Sequence, residues 1–490
     1  MKQLFRLSIL VLALLLSATA TAYDFEVDGI YYDIEGTNAS VTFGNNEYTG
    51  SVTIPATVTY NGKTYPVTAI GVLAFRYCTG LTGIDIPNSV TEIGNYAFEG
   101  CTGLTGIDIP NSVTFIGFNA FYNTGWYNNQ PDGLVYAGNV AYHYKGAMPS
   151  GTRLTLKEGT LGIASAAFRY CTGLTSINIP NSVTEIGENA FYDTGWYNNQ
   201  PDGLVYAGRV AYEYKGTMPS GTSMTLKEGT LGIAWSAFWD CTGLTSIVIP
   251  NSVTYVGNGA FGGCSGLTSI VVESGNPRYD SRNNCNAIIE TANNVLIIGC
   301  NNTIIPNSVT EIGEGALSGC TGLTSIDIPN SVTKIGMYAF DSCTGLTSIN
   351  IPNSVIEIGE GAFYSCTGLT DVYCYIADLS RVSSGDEQFS LDNSDYSGRT
   401  LHVLQGTADA YRADENWYPY FGQIAEDLMP ALPGDVDGDT EVGIADVNAL
   451  IDIILGGNGN TAAADVNGDG AINIADVNAI IDIILSGSWN

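Results

Sequence analysis

The sequence predicts two parts: a solenoid of stacked short coils, α/β in type with mostly strands, turns and short helical segments, and a small all-α domain at the C-terminus. Three observations predict them. A segment of the form Cys-Thr-Gly-Leu-Thr-Ser-Ile-x-Ile-Pro-Asn-Ser-Val-Thr-x-Ile-Gly-x-x-Ala-Phe recurs with a 23-residue period. Two acidic loops, 30 residues apart, each run into a segment of helical apolar periodicity. Charged residues are only 13% of the chain while Gly reaches 59 and Tyr 29, which suits a turn-rich β protein with an uncharged polar surface.

The chain opens with Met1, Lys2 and Arg6, an apolar stretch from Leu7 to Leu16, and Ala20-Thr21-Ala22, the small-x-small form of an export cleavage site. Cleavage after Ala22 is expected, giving a mature chain from Tyr23 that is secreted or held at a cell surface. No later segment is long and apolar enough to span a bilayer, so membrane insertion is not expected. Residues 23–68 are strand-rich but off the repeat pattern and read as an N-terminal β cap. Residues 69–375 read as the solenoid, 376–433 as a C-terminal cap and linker around Pro430 and Pro433, and 434–490 as the second domain.

Each coil follows from elementary rules. Ile326-Asp327-Ile328 alternates apolar and polar, so it reads as a strand with two inward residues. Pro329 has no N–H to donate and ends it. Ile335 then turns inward, Gly336 permits a bend, and Phe340 fills the coil. A single coil cannot bury its own apolar face; stacked coils bury one another's. A longer period is superimposed: 101–170 and 171–240 are near copies, each with an inserted hairpin and a degenerate coil whose strands are Leu154-Thr155-Leu156 and Met224-Thr225-Leu226. Gly138-Asn139 is a good two-residue hairpin turn, and another hairpin is expected from Ala287 to Gly299.

A net charge of -32 opposes a nucleic-acid partner, whose phosphates select Lys and Arg clusters, and favours cations. Of the 11 Cys, eight (Cys78, Cys101, Cys171, Cys241, Cys264, Cys320, Cys343 and Cys366) hold one place in the repeat, where Thr124 and Thr194 also stand. A residue that exchanges with Thr reads as a small space-filler, so a reduced ladder is expected. Cys285 and Cys300 flank the third hairpin symmetrically, and both a disulfide and an apolar pair suit them.

The C-terminal loops carry the clearest chemistry. Asp465, Asn467, Asp469, Asn473 and Asp476 occupy positions 1, 3, 5, 9 and 12 of a twelve-residue loop, with Gly470 at the sharp turn and Ala471 offering a carbonyl at position 7. This is the oxygen spacing that wraps calcium. Asp435, Asp437, Asp439, Glu441 and Asp446 repeat it at positions 1, 3, 5, 7 and 12. There Thr440 replaces the turn Gly and Gly443 has no side chain at position 9, so the first loop is expected to be the weaker of two calcium sites. Val447, Leu450, Ile451, Ile454 and Leu455, and likewise Val477, Ile480, Ile481, Ile484 and Leu485, mark one apolar helical face after each loop.

The repeat, over roughly residues 50 to 375 and including Trp126 to Gly133 and Gly275-Asn276-Pro277, resembles the BspA-like leucine-rich-repeat surface proteins of bacteria. That resemblance implies an exported protein that adheres to a host or microbial surface protein or glycan. Residues 434–490 resemble a type I dockerin, which implies a calcium-dependent cohesin-like partner. The chain departs from many dockerins in having Ile444-Ala445 and Ile474-Ala475 before position 12, and Ile451-Asp452 and Ile481-Asp482 in the helices, which points to an apolar docking face or to a calcium-stabilised end cap.

No catalytic constellation stands out. His143 and His402 are the only histidines, which excludes a His-rich zinc site, and there is no Gly-x-Ser-x-Gly elbow or phosphate loop. Trp126-Tyr127-Asn128 and Trp196-Tyr197-Asn198 are the candidate ligand residues, since aromatics beside amides stack on sugars; the same rings also suit packing of the hairpins onto the solenoid. The expectation is a non-catalytic binding or scaffold protein. The alternative is a component of an extracellular polysaccharide-degrading complex, with carbohydrate binding or weak glycosidase activity.

Overall fold

The computed structural model describes residues 23–35, 38–44, 47–384, 388–390, 396–428, 434–436, 442–455, 464–467 and 472–486. Residues 1–22, expected to be an export segment, and Pro430 and Pro433, expected in a linker, lie outside these residues. The chain divides into two compact units after Gln200. Mostly short strands and turns build the predicted leucine-rich-repeat type of β-solenoid, with few short helices before the C-terminal pair.

In the N-terminal unit, strands Phe25–Val27, Ile30–Glu35 and Asn38–Thr42 form an antiparallel meander. Asn38–Thr42 then pairs in parallel with Lys63–Ile70. Parallel bridges follow from Ala69-Ile70 to Glu92-Ile93 to Phe115-Ile116, one 23-residue step at a time. A second strip pairs Gly50–Thr53 with Leu81–Asp85, so parallel stacking reaches back into the segment read as the N-terminal cap.

Between these strips runs a column of phenylalanines. Phe75, Phe98 and Phe121 are fully buried, with ring centroids 5.0 Å and 5.4 Å apart and planes within 8° of parallel. The backbone locks the same step: Phe75 N donates to Ala97 O, and Phe98 N to Ala120 O, both at 2.7 Å. Each ring therefore lacks a lid until the next coil is in place, which is why the repeat is stable only as a stack.

The inserted hairpin, Gly133–Ala137 with Val140–Lys145, turns at Gly138 (φ 57°) and Asn139 as expected. It does not merely decorate the stack. Tyr142 sits edge-on to Phe121 at 5.4 Å, and its hydroxyl accepts from Phe121 N at 2.9 Å, where the next coil's Ala carbonyl serves elsewhere. Val140-Ala141 pairs in parallel with Gly162-Ile163, and the stack resumes through Glu185-Ile186.

The C-terminal unit begins with the second copy of that hairpin, Gly203–Ala207 with Val210–Lys215. The third hairpin, Ile288–Glu290 with Val295–Ile298, starts a run of parallel bridges through Glu311-Ile312, Lys334-Ile335, Glu357-Ile358 and Ser383-Ser384. Ile335 and Phe340 are fully buried, and Ile326 and Ile328 are nearly so. The alternation was read correctly at Ile326–Ile328, yet the segment is no strand: its neighbourhood has one long bond to the next coil, Thr347 N to Thr324 O at 3.4 Å. Strands Ser348–Ile351, Asp371–Cys374, Thr400–Leu404 and Gln423–Leu428 pair in parallel towards the end of the stack. Phe340, Phe363 and Phe389 continue the aromatic column, and Trp417 packs on Phe389 at 5.3 Å.

All 11 cysteines are buried free thiols. The ladder has a role besides filling space: Sγ of Cys101, Cys264, Cys343 and Cys366 donates to the carbonyl of Phe75, Phe238, Leu317 and Phe340, respectively, at 2.9 to 3.2 Å. Cys285 and Cys300 are separate thiols here, with Sγ directed at Ala287 O (3.8 Å) and Asn286 O (3.2 Å).

Candidate calcium module and solenoid aromatics

Helices Ile444–Ile454 and Ile474–Ser486 each start at position 10 of an acidic loop, so that position 12 falls in the first helical turn. They start there because of capping. Asn473 Oδ1 accepts from Ala475 N at 2.8 Å while Asp476 Oδ2 accepts from Asn473 N at 2.9 Å, a reciprocal box that satisfies orphan helix donors. In the first loop Asp446 Oδ2 accepts from Gly443 N at 2.7 Å; Gly443 has no side chain to reciprocate.

The other carboxylate oxygen reaches back to the loop entrance. Asp446 Oδ1 accepts from Val436 N at 2.6 Å, and Asp476 Oδ1 from Asn467 N at 3.2 Å. Position 12 thus ties both ends of each loop to one carboxylate. Asp446 and Asp476 are 1% and 0% exposed, and Asp435 is 8% exposed. Residues 434–490 contain no Lys, Arg or His, so the module itself supplies no basic side chain for these buried carboxylates. Buried anions need compensation, and a hard divalent cation on oxygen ligands fits this donor set. Asp465, Asn467 and Asn473 are also within the described residues, whereas Asp437, Asp439, Glu441, Asp469 and Ala471 lie outside them.

The two helices share a small core of Val436, Val447, Leu450, Ala464, Val477 and Ile480. This core takes only two of the five residues that the periodicity marked on each helix. Ile451 and Ile454 are over a third exposed and Leu455 is 79% exposed; Ile481, Ile484 and Leu485 repeat the pattern. Ile444 and Ile474, before position 12, are also exposed.

The aromatic turns sit within the N-terminal unit. Thr124 and Thr194 cap the one-turn helices Gly125–Asn128 and Gly195–Asn198, each Oγ1 accepting from the tyrosine N at 3.0 Å. Trp126 packs edge-on against Phe121 at 5.2 Å and Trp196 against Phe191 at 4.8 Å. Tyr127 is buried between Tyr142 and His143, and Lys145 Nζ donates to the carbonyls of Tyr127 and Asn128. These rings pack the hairpin; Asn128 and Asn198 are exposed beside them. A slot lined by Tyr122, Tyr127, Tyr142 and His143 has about 20 Å³, room for a single water.

One cluster had no signal in the sequence. His402 bridges two carboxylates across three strands, with Nδ1 2.8 Å from Asp427 and Nε2 3.1 Å from Asp371, and its ring stacks on Tyr373 at 4.4 Å. Its partners lie 31 and 25 residues away along the chain, so no motif spacing links them.

The family model for the BspA type Leucine rich repeat region matches residues 138–201, 208–293 and 297–385, and that for the Dockerin type I domain matches 433–485. Among solved structures, a leucine-rich repeat protein from Bacteroides ovatus is 25% identical over 82% of this chain and 99% of its own, with a TM-score of 0.29. A leucine rich cell surface protein from Faecalibacterium prausnitzii is 23% identical over 77% and 95%, with a TM-score of 0.25. A leucine-rich repeat protein from Eubacterium ventriosum is 18% identical over 83% and 84%, with a TM-score of 0.33. No curated protein matches the chain. Both module types are non-catalytic and typical of extracellular proteins; dockerins bind calcium and imply a cohesin-type partner. Among the described residues no helix is long and apolar enough to cross a membrane. The chain is therefore built of BspA-type leucine-rich repeats followed by a type I dockerin domain.

Proposed function

We propose that this is an exported, non-catalytic docking scaffold, attached to a cohesin-like partner through its dockerin and presenting the solenoid to a surface protein or glycan. The observation that carries the reading is the pair of buried position-12 carboxylates, Asp446 and Asp476, in a module without a single base. Calcium would be held by Asp435, Asp437, Asp439, Glu441 and Asp446, and by Asp465, Asn467, Asp469, Ala471, Asn473 and Asp476, two ions in all, the second loop binding more tightly. The bound ion neutralises the carboxylates and cross-links the loop, so metal binding becomes folding free energy. The exposed Ile444, Ile451 and Leu455 and their counterparts Ile474, Ile481 and Leu485 then form the apolar docking face. The amides of Asn128 and Asn198 beside Trp126-Tyr127 and Trp196-Tyr197 form a secondary ligand surface.

Calorimetry of the full chain with calcium, followed by binding to purified cohesin modules with and without chelator, tests this. Two calcium events and chelator-sensitive binding are expected. Absence of calcium binding, or cohesin binding indifferent to chelator, would sink the proposal.

A further inference from the structure

Ala-Phe-Arg-Tyr-Cys-Thr-Gly occurs twice, at 74–80 and 167–173, and places Arg76 and Arg169 at the same point of the repeat. Their surroundings differ at the next coil. Arg76 is neutralised by Glu99 of the next coil, Nε to Oε2 at 2.6 Å. After Arg169 the corresponding residue of the next coil is Tyr192, so a ring stands where the acid stood.

The guanidinium of Arg169 lies 4.7 Å from the Tyr170 ring centroid and 5.6 Å from that of Tyr192, and the two rings meet edge to face at 5.7 Å. Nη2 donates to the Tyr170 hydroxyl at 3.1 Å, and the buried Nε–H has no acceptor. Among the described residues no carboxylate pairs with this cation. The chain has 49 acids and 17 bases, so an unneutralised arginine is not explained by any shortage of acids.

Tyr170 adds a second observation. It is 57% exposed and holds φ 64°, as Tyr77 of the first motif is 54% exposed and holds φ 58°, at a place where other coils carry Gly100, Gly263, Gly319, Asn123 or Asp193. A bulky side chain in the left-handed region costs about 1 kcal/mol or more. The arginine's cation–π contacts hold that ring outward.

We propose that Arg169, Tyr170 and Tyr192 form a binding site for a carboxylate-bearing sugar, a uronic acid residue within an otherwise neutral glycan. With Nε buried, Nη1 and the second N–H of Nη2 are the donors left to meet a carboxylate. The exposed tyrosine offers an apolar face of the size of a sugar ring. A neutral sugar leaves the cation unpaired, and an inorganic anion leaves the ring unused. Polyanions, acidic peptides among them, meet the repulsion of a chain at -32, whereas a single uronate meets little. The site rests on the reading of the solenoid as the ligand-bearing part, but not on the dockerin.

The test is calorimetry on the full chain with xylotetraose bearing one glucuronic acid, with unsubstituted xylotetraose, and with a glutamate-rich peptide. The acidic sugar should bind at least tenfold more tightly than the neutral one. Arg169→Gln should lose that preference at least tenfold with its circular dichroism unchanged, and Arg76→Gln, in the same motif but ion-paired, should keep it. The proposal is overturned if the acidic sugar does not bind, if both sugars bind alike, if the peptide alone binds, or if Arg169→Gln binds as the parent does. Calcium-dependent cohesin binding, measured on the same samples, reports the docking function separately.

Discussion

Arg399 gives the most exacting prediction. It is 3% exposed, and its guanidinium donates to three carbonyls: Nε to Leu369 O at 3.1 Å, Nη1 to Phe389 O at 2.7 Å and Nη2 to Cys366 O at 3.1 Å. No carboxylate among the described residues pairs with it, so it acts as a buried multidentate donor that closes the last coil. Burial pushes its pKa down from the usual arginine value, yet the group stays charged at any ordinary pH. Arg399→Met removes the donors and leaves the carbonyls in a dry environment, at ~1–3 kcal/mol for each acceptor left unmade. Relief from burying the charge returns part of this, so a net loss of ~3–5 kcal/mol is expected. Arg399→Lys offers one point donor in place of a fork and should fall about midway. Hydrogen exchange by mass spectrometry reads local stability here, because repeat arrays need not unfold as a whole. Peptides spanning 366–374 and 399–404 should exchange about a hundredfold faster or more in Arg399→Met, since each ~1.4 kcal/mol is a factor of ten. Exchange within threefold of the parent would refute the reasoning and show that other groups satisfy these carbonyls.

Three further outcomes are expected. The two histidines should separate in an NMR titration: burial lowers the pKa of His143, while for His402 burial lowers it but the hydrogen bonds and charges of Asp371 and Asp427 prevail and raise it above 6.5. A raised folded pKa means that the His402 contribution is complete below about pH 6.5 and is lost as pH rises through the higher folded value. Because Asp371 and Asp427 are 38% and 52% exposed, that contribution should be only ~0–1 kcal/mol; coincident titration of the two rings contradicts the clamp. Burial pushes the thiols of Cys101 and Cys366 up to about 12, so a thiol reagent at pH 8 should label the native chain negligibly and count 11 thiols after denaturation; a lower denatured count would reveal disulfides. In calcium titrations Asp476→Asn should remove the tighter event and Asp446→Asn the weaker, and the opposite order would reverse the ranking of the loops.

Much of this was legible because the repeat is nearly invariant. Ile335 and Phe340 could be placed inward from the period alone, and Gly138-Asn139 gave the hairpin turn from the left-handed demands of a two-residue loop. What escaped depends on partners that periodicity does not encode. Nothing in the hairpin says that the Tyr142 hydroxyl substitutes for a missing coil's carbonyl. In the dockerin the heptad-like spacing marks Val447, Leu450, Ile451, Ile454 and Leu455 alike, but a two-helix core is too small to cover them all, and Val447 and Leu450 alone are buried. His402 joins Asp371 and Asp427 because Gln423–Leu428 lies beside Thr400–Leu404 in register, a pairing that follows an irregular return of the chain.

The stack is, in polymer terms, a chain whose every link exposes the socket for the next. Phe363 is covered by Phe389, and Phe389 by Trp417 and Phe421, rings that have no successor in the repeat. The last strand, Gln423–Leu428, carries Glu426 and Asp427, and charges on an edge discourage a further strand from adding. These residues are the terminator of the growth. A chain cut after residue 375 would keep a live end, and each such molecule would offer the next a place to continue, head to tail, without any closed assembly to stop it.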